Sequence, residues 1–184
     1  MGERPLTKRA IFIDRDGVIN KALIRNGWPY PPRNLMELEI LPGVPEALSL
    51  LREAGFLLIV VTNQPDVVRG NQSRDRVEEI NRTLKGMLSI DDIRVCYHDD
   101  GDGCECRKPA PGLITRAALD HHVDLHSSYM VGDRWRDVEA GKQAGCQTVF
   151  IDHHYDEARE VHPTARVGSL LEAVQWILRR ERNG

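Results

Sequence analysis

Residues Phe56 to Val61 form an unbroken apolar run, preceded by Gly55 and followed by the polar triplet Thr62-Asn63-Gln64. A strand with one face in water alternates apolar and polar residues, so a run without a polar position belongs to a strand covered on both faces. Such coverage implies a parallel sheet with helices above and below it. Ala10 to Ile13, Ile93 to Tyr97, Tyr129 to Val131 and Thr148 to Ile151 read as further short strands. Between them, apolar residues recur at helical spacing. Val44, Ala47, Leu48 and Leu51 predict a helix over 43–54 closed by Gly55, and Val77, Ile80 and Leu84 one over 73–88 opened by Ser73 and Asp75. Helices are also expected over 111–121, with Pro111 in its first turn, and from Asp137 to Ala144. A closing amphipathic helix, Ser169 to Arg180, turns Leu170, Leu171, Val174, Ile177, Leu178 and Trp176 inward.

The alternation predicts an α/β fold: three layers, α/β/α, Rossmann-like, with a parallel central sheet in a single domain over 1–184. Residues 1–7 are expected to be a flexible tail. Stretch 21–40 lacks periodicity and holds Asn26-Gly27-Trp28-Pro29-Tyr30-Pro31-Pro32. It reads as an excursion over the sheet edge with a small hairpin, anchored to the sheet by Trp28 and Tyr30.

The formal net charge is -3, which gives no basic excess of the kind a nucleic-acid backbone binder shows. No apolar stretch approaches the length of a membrane span, and the N-terminus lacks the pattern of a secretory signal. The expectation is a cytoplasmic protein, monomeric or weakly self-associating, with no nucleic-acid or membrane partner.

The polar groups at the strand ends suggest chemistry. Asp14-Arg15-Asp16-Gly17 comes after the first strand, Thr62-Asn63-Gln64 after the second and Gly132-Asp133 after the fourth. These groups should line the carboxyl edge of the sheet, where open α/β sheets bind ligands. Asp133 and Asp137 share one face if the intervening turn is helical. Acidic groups converging on one point repel unless a cation neutralises them, and an oxygen-only donor set suits magnesium. Taken alone, Asp14-x-Asp16-Gly17 also fits an ordinary surface turn. Together with Thr62, Lys108 and Asp137 it supplies a nucleophile, a hydroxyl, a cation and a metal seat, the parts that phosphoryl transfer requires.

These four segments, in this order, resemble the motifs of the haloacid dehalogenase superfamily of phosphatases: Asp14-Arg15-Asp16-Gly17, Thr62-Asn63-Gln64, Lys108 within Cys106-Arg107-Lys108-Pro109, and Gly132-Asp133-Arg134-Trp135-Arg136-Asp137. The resemblance implies a magnesium-dependent phosphomonoesterase in which Asp14 attacks phosphorus and Asp16 is the general acid and base. It further implies that Thr62 binds the transferring phosphoryl group and that Lys108 neutralises it and orients Asp14. Magnesium would be held by the Asp14 carboxylate, the Asp16 backbone carbonyl and Asp133, with Asp137 in the outer shell. A non-catalytic binding protein on the same scaffold is the remote alternative.

Three of the four cysteines lie within eleven residues that also hold a histidine. Cys96, His98, Cys104 and Cys106 form the pattern C-x-H-x5-C-x-C, a normal ligand set for structural zinc in a reducing compartment. The alternatives are a surface histidine beside reduced thiols, or an iron cluster, which the single histidine and tight spacing disfavour. The glycine-rich, acidic segment 99–103 has almost no apolar content and little reason to hold a shape without metal. Cys146 stands apart and is expected to be a small buried hydrophobe.

This loop, with no segment long enough for a large cap domain, resembles the capless, zinc-loop branch that includes heptose bisphosphate and histidinol-phosphate phosphatases. Asn63 to Gly70, ending in Arg69-Gly70, is similar to a segment of the former, although Pro65-Asp66-Val67-Val68 replaces its usual middle. The branch implies a small phosphorylated sugar as substrate, a heptose 1,7-bisphosphate losing its 7-phosphate, with histidinol phosphate as the alternative. Asn63, Arg69, Arg107 and Arg134 are the candidate substrate-binding residues, since a guanidinium suits a second phosphate.

Overall fold

The computed structural model describes residues 7–155 and 159–183. The expected tail therefore lies outside the described residues, apart from Thr7. In chain order the strands and helices are β1 (Ala10–Ile13), β2 (Leu23–Arg25), β3 (Trp28–Tyr30), α1 (Val44–Glu53), β4 (Leu57–Asn63), α2 (Arg74–Met87), β5 (Asp92–Cys96), α3 (Gly112–His121), β6 (Tyr129–Gly132), α4 (Trp135–Ala144), β7 (Gln147–Ile151), β8 (Ala165–Val167) and α5 (Leu170–Asn183). Six strands pair in the order β5-β4-β1-β6-β7-β8, every pairing parallel.

The pleat divides the core in two. From β1 and β4, Ile11, Ile13, Leu58 and Val60 face one layer, filled by α1, α2 and α5. Ala10, Phe12, Ile59 and Val61 face the other, filled by α3 and α4. All eight of these residues are fully buried, as the uninterrupted apolar runs require. The chain leaves β1 for β4 and β5 on one side, then returns across it to β6, β7 and β8 on the other. β1 therefore sits at the point where the winding reverses, where such sheets open a crevice.

Local chemistry sets the element ends. Ser73 caps α2 by accepting a hydrogen bond from the Arg76 amide, and Gly55, at φ 82°, lets the chain leave α1 into β4. Asn26 and Gly27 both take positive φ, 51° and 78°, the turn that closes the β2–β3 hairpin. This hairpin is the whole regular structure of the insertion after β1, and no large cap is present among the described residues. Trp28 and Tyr30 are not anchors: they are 52% and 38% exposed and stand on the wall of the central cleft. With three residues per strand, the hairpin has too little buried surface to pull both rings inward.

No helix among the described residues is long and apolar enough to cross a membrane. Leu58 is fully buried in β4, near the middle of the sheet, so Leu58→Ala should lower unfolding free energy by about 2–5 kcal/mol. Met36→Ala, at a side chain 96% exposed, should stay within about 0.5 kcal/mol of wild type in the same denaturant titration.

Candidate active site

Asp14 continues β1 by one residue, its amide donating to the Val131 carbonyl at 2.9 Å. Thr62 is the penultimate residue of β4, and Asp133 comes directly after β6. The strand ends thus bring three sequence-predicted residues together, and the loop after β5 adds Lys108. The Lys108 ammonium is buried and donates three hydrogen bonds: to Asp14 Oδ1 at 2.7 Å, to the Val61 carbonyl at 2.8 Å and to Asp137 Oδ1 at 2.6 Å. Asp137 Oδ2 in turn accepts from the Arg134 amide at 2.9 Å, which fixes the start of α4 two residues earlier than periodicity suggests.

Two glycines make this convergence possible. A Cβ on Gly17, which has φ 90°, would come within 2.0 Å of Asp133 Oδ2. One on Gly132 would come within 2.2 Å of the Asp137 Cβ. Only the absence of side chains there lets the carboxylates of three chain segments crowd together. The His153 ring nitrogen donates to the Gly17 carbonyl at 2.6 Å and braces the same turn.

Carboxylate oxygens of Asp14, Asp133 and Asp137 lie within 4.8 Å of one another, with one ammonium among them. Burial pushes the Asp14 carboxyl up to about 7, opposed by the Lys108 charge and reinforced by Asp137 and Asp16. Burial, then the charges of Asp14 and Asp137, drives Asp133 well above the usual carboxylate range. For Lys108, burial works against the ammonium, but the Asp137 and Asp14 charges outweigh it and hold its pKa above the ordinary value. Both Asp133 carboxylate oxygens are buried, and among the described residues neither has a donor within normal hydrogen-bond distance. Buried acceptors in surplus over cations, all oxygen, fit a hard divalent ion such as magnesium.

Asp16 is held by residues to which sequence reasoning assigns no role. Its Oδ1 accepts from Arg15 Nε at 3.1 Å and Asn20 Nδ2 at 2.9 Å, and its Oδ2 from Arg15 Nη2 at 3.0 Å and Gln64 Nε2 at 2.7 Å. Arg15 is fully buried, and its Nη1 donates to Asn81 of α2 at 2.8 Å. Arg15 and Gln64 stand inside the motif segments, and that position is the signal that could have found them. Asn20 and Asn81 carry none. Gln64 Nε2 also donates to the Thr62 hydroxyl at 2.9 Å.

The cleft above these groups has a volume of about 320 Å³, and all four candidate substrate-binding residues line it. Their partners differ. The Asn63 side-chain amide clasps the Lys108 backbone, donating to its carbonyl at 3.0 Å and accepting from its N–H at 3.1 Å. Arg69 makes two 2.6 Å bonds to Asp99, and Arg107 donates to Asp100 at 2.8 Å. Arg134 lies over the Tyr155 ring, 5.9 Å from its centroid. Arg136, which the sequence does not single out, also lines the cleft.

Just behind Arg107, the side-chain ligand atoms of Cys96, His98, Cys104 and Cys106 lie within 4.8 Å of one another. Sulfur–sulfur separations are 3.1 to 3.7 Å, and the His98 Nδ1 sits 3.3 Å from Cys106 Sγ and 3.6 Å from Cys96 Sγ. Tetrahedral ligation with bonds of about 2.0–2.3 Å puts ligand atoms roughly 3.5 Å apart, so this donor set fits zinc. Cys146 is buried, as its expected packing role requires.

The fold and site define a hydrolase of the haloacid dehalogenase type, and a family profile described as HAD-hydrolase-like matches residues 105–173. D-glycero-beta-D-manno-heptose-1,7-bisphosphate 7-phosphatase from Pasteurella multocida (strain Pm70) is 36% identical over 155 residues, 78% of this chain and 81% of the relative. The enzyme of the same name from Escherichia coli (strain K12) is 35% identical over 181 residues, 92% of this chain and 87% of the relative. Among solved structures, D,D-heptose 1,7-bisphosphate phosphatase from B. bronchiseptica, complexed with magnesium and phosphate, superposes with TM-score 0.82 at 28% identity, covering 94% of this chain and 99% of that one. The chain belongs to the family of D-glycero-beta-D-manno-heptose-1,7-bisphosphate 7-phosphatases.

A carboxyl whose folded pKa is raised, as for Asp14, binds its proton more tightly in the folded than in the unfolded state. Its contribution is then fully present below about pH 4 and is lost as pH rises through about 7. In magnesium-free buffer, Tm should therefore fall between about pH 5 and pH 7, with Asp133 acting in the same direction. The Tm gain on adding magnesium should grow over the same interval, because the ion competes with protons for these oxygens. Thermal melts on a pH series, with and without magnesium, check this. A gain independent of pH would mean that these carboxyls do not hold the ion.

Proposed function

We propose that the chain removes the 7-phosphate of D-glycero-D-manno-heptose 1,7-bisphosphate by way of an aspartyl-phosphate on Asp14. The observation that carries this reading is the Lys108–Asp14 pair at the floor of a cleft whose mouth is lined by arginines. The names of the 30–36% identical relatives supply the substrate.

Lys108 commits all three ammonium protons, so it serves by charge and by fixing Asp14 rather than by donating to substrate. With Oδ1 pinned, Asp14 Oδ2 is free to attack phosphorus, and the bond to the sugar oxygen breaks. The Thr62 hydroxyl, already accepting from Gln64, keeps its own hydrogen to donate to a phosphoryl oxygen. Asp16 protonates the departing sugar oxygen, then takes a proton from the water that attacks the aspartyl-phosphate and releases phosphate. To do so, its carboxyl must turn from the Arg15, Asn20 and Gln64 donors toward the cleft that it lines. Asp14, the Asp16 backbone carbonyl and Asp133 would hold magnesium, with Asp137 supporting Lys108 behind them. When bound, the ion supplies positive charge against the phosphoryl oxygens. Arg107, beside Lys108, would receive the phosphate that does not react.

Asp14→Asn should abolish turnover while retaining the fold, as read by steady-state rates and circular dichroism. The wild type should show a higher kcat/KM for the heptose bisphosphate than for fructose 1,6-bisphosphate or histidinol phosphate. If histidinol phosphate ranks first, the bisphosphate reading is wrong.

For the four-ligand cluster we propose one structural zinc per chain. Cys104→Ser should lower Tm and reduce activity, because Arg107 and Lys108 come directly after ligand Cys106. Elemental analysis of protein purified without added metal should find about one equivalent of zinc. Zinc-free protein with unchanged melting would overturn the assignment.

A further inference from the structure

Two arginines at the cleft mouth share one carboxylate. Asp100 Oδ1 accepts from Arg107 Nε at 2.8 Å and from Arg136 Nη1 at 2.7 Å, while its Oδ2 accepts from Arg136 Nη2 at 3.2 Å. The two guanidiniums are steadied from beneath by backbone. Arg107 Nη1 donates to the His98 carbonyl at 3.2 Å, and Arg136 Nη1 to that of Lys108 at 3.3 Å. Arg136 also lies over the Trp135 ring, 5.0 Å from its centroid. Side-chain exposure is 11% for Arg107, 29% for Arg136 and 56% for Asp100. The cations are therefore the built part of this arrangement, and the carboxylate is its exposed lid. All three residues line the cleft that holds Asp14.

We propose that Arg107 and Arg136 form one anion seat, that Asp100 is its resident counter-ion, and that Arg136 determines specificity by receiving the substrate's non-reacting phosphate in place of Asp100. This rests on the bisphosphate reading given above. The chemistry favours exchange. A phosphate dianion presents more charge and three acceptor oxygens against the two of a single carboxylate, and guanidinium forks donate to it in pairs. A monophosphate brings no second anion, so Asp100 keeps its place and the arginines contribute nothing to its turnover. Without Asp100, two guanidiniums would face each other with only Asp99, 3.7 Å from Arg107 Nη2 and already bonded to Arg69, left to offset them. The carboxylate thus relieves repulsion in the free enzyme and competes with substrate in the bound one.

The measured quantity is the ratio of kcat/KM for a sugar bisphosphate to that for its monophosphate. It is taken on two pairs, heptose 1,7-bisphosphate with heptose 7-phosphate and fructose 1,6-bisphosphate with fructose 6-phosphate. Arg136→Gln should lower the ratio about tenfold, the loss of a charge-assisted phosphate contact, and Arg136→Lys should recover part of it. Asp100→Asn should raise the ratio about threefold, through KM, because the competitor is gone. Damage to the fold would lower both members of a pair together and leave the ratio in place. An unmoved ratio in Arg136→Gln overturns the seat. A lowered ratio in Asp100→Asn overturns the counter-ion role, showing that Asp100 positions the arginines instead. If the wild type ignores the heptose pair but the fructose pair responds as described, the heptose reading fails and the seat stands. A wild type with no preference for the bisphosphate in either pair overturns both.

Discussion

The buried ammonium of Lys108 ties the site to the fold. It is the cation between Asp14 after β1 and Asp137 in α4, and its third proton goes to the carbonyl of Val61, two residues before the end of β4. Each of these partners belongs to a different segment at the carboxyl edge of the sheet, so one side chain gathers the segments on which the chemistry depends. Removing the lysine would leave two buried carboxylates without their shared cation, which is far costlier than losing a surface pair. The arrangement is nonetheless negative in sum: Asp14, Asp133 and Asp137 stand against one lysine. A protein selected for stability alone would not crowd carboxylates against Gly17 and Gly132 in this way. The surplus negative charge is what a divalent cation would be bound by, and stability is given up locally to create it.

The same logic explains why much of this is legible in the sequence and where legibility stops. β1, β4 and β6 announce themselves because their segments buried on both faces, Ala10 to Ile13, Leu58 to Val61 and Tyr129 to Val131, are unbroken apolar runs, and the polar groups that close them must then share an edge. The Asn26-Gly27 turn is visible because few other pairs accept two successive positive φ values. By contrast, β8, Ala165–Val167, is a three-residue edge strand with an exposed central arginine, too short for a period to show. The start of α4 escapes periodicity because it is set by a carboxylate folding back onto a backbone amide rather than by apolar spacing. The donors around Asp16 are invisible for another reason. Gln64 reaches Asp16 across 48 residues of sequence and Asn81 reaches Arg15 across 66, through contacts that exist only once the sheet is assembled.

Charge is layered along the cleft. The floor is acidic and calls for a metal ion, whereas the mouth carries Arg69, Arg107, Arg134 and Arg136 with Asp66, Asp99 and Asp100 interleaved among them. A molecule with a phosphate at each end and a neutral carbon chain between meets cationic charge at both ends of such a site, provided the floor is loaded with its ion. The interleaved acids keep the empty mouth near neutrality, so that the arginines neither repel one another nor hold every passing anion with equal strength.

One short loop links the two ends. Between Cys96 and Lys108 the chain carries the four cluster ligands, the counter-ions Asp99 and Asp100, Arg107 at the mouth and the ammonium at the floor. The distance from floor to mouth is therefore fixed within thirteen consecutive residues. Residues Asp100 to Gly103 in that loop are all exposed, so hydrophobic burial cannot be what holds them. Rigidity has to come from polar closure: the Asp99–Asp102 capping box, the Asn63 clasp on the Lys108 backbone and, with the proposed zinc bound, ligation at the cysteine–histidine cluster. Of these, a metal bound at the cluster would be the strongest, and it would act close to Lys108, two residues from Cys106. Among the described residues there is no large cap to close over a substrate and impose that spacing. Here the loop holds it before the substrate arrives, which is the condition under which a bound second phosphate can contribute orientation to the reaction at the first.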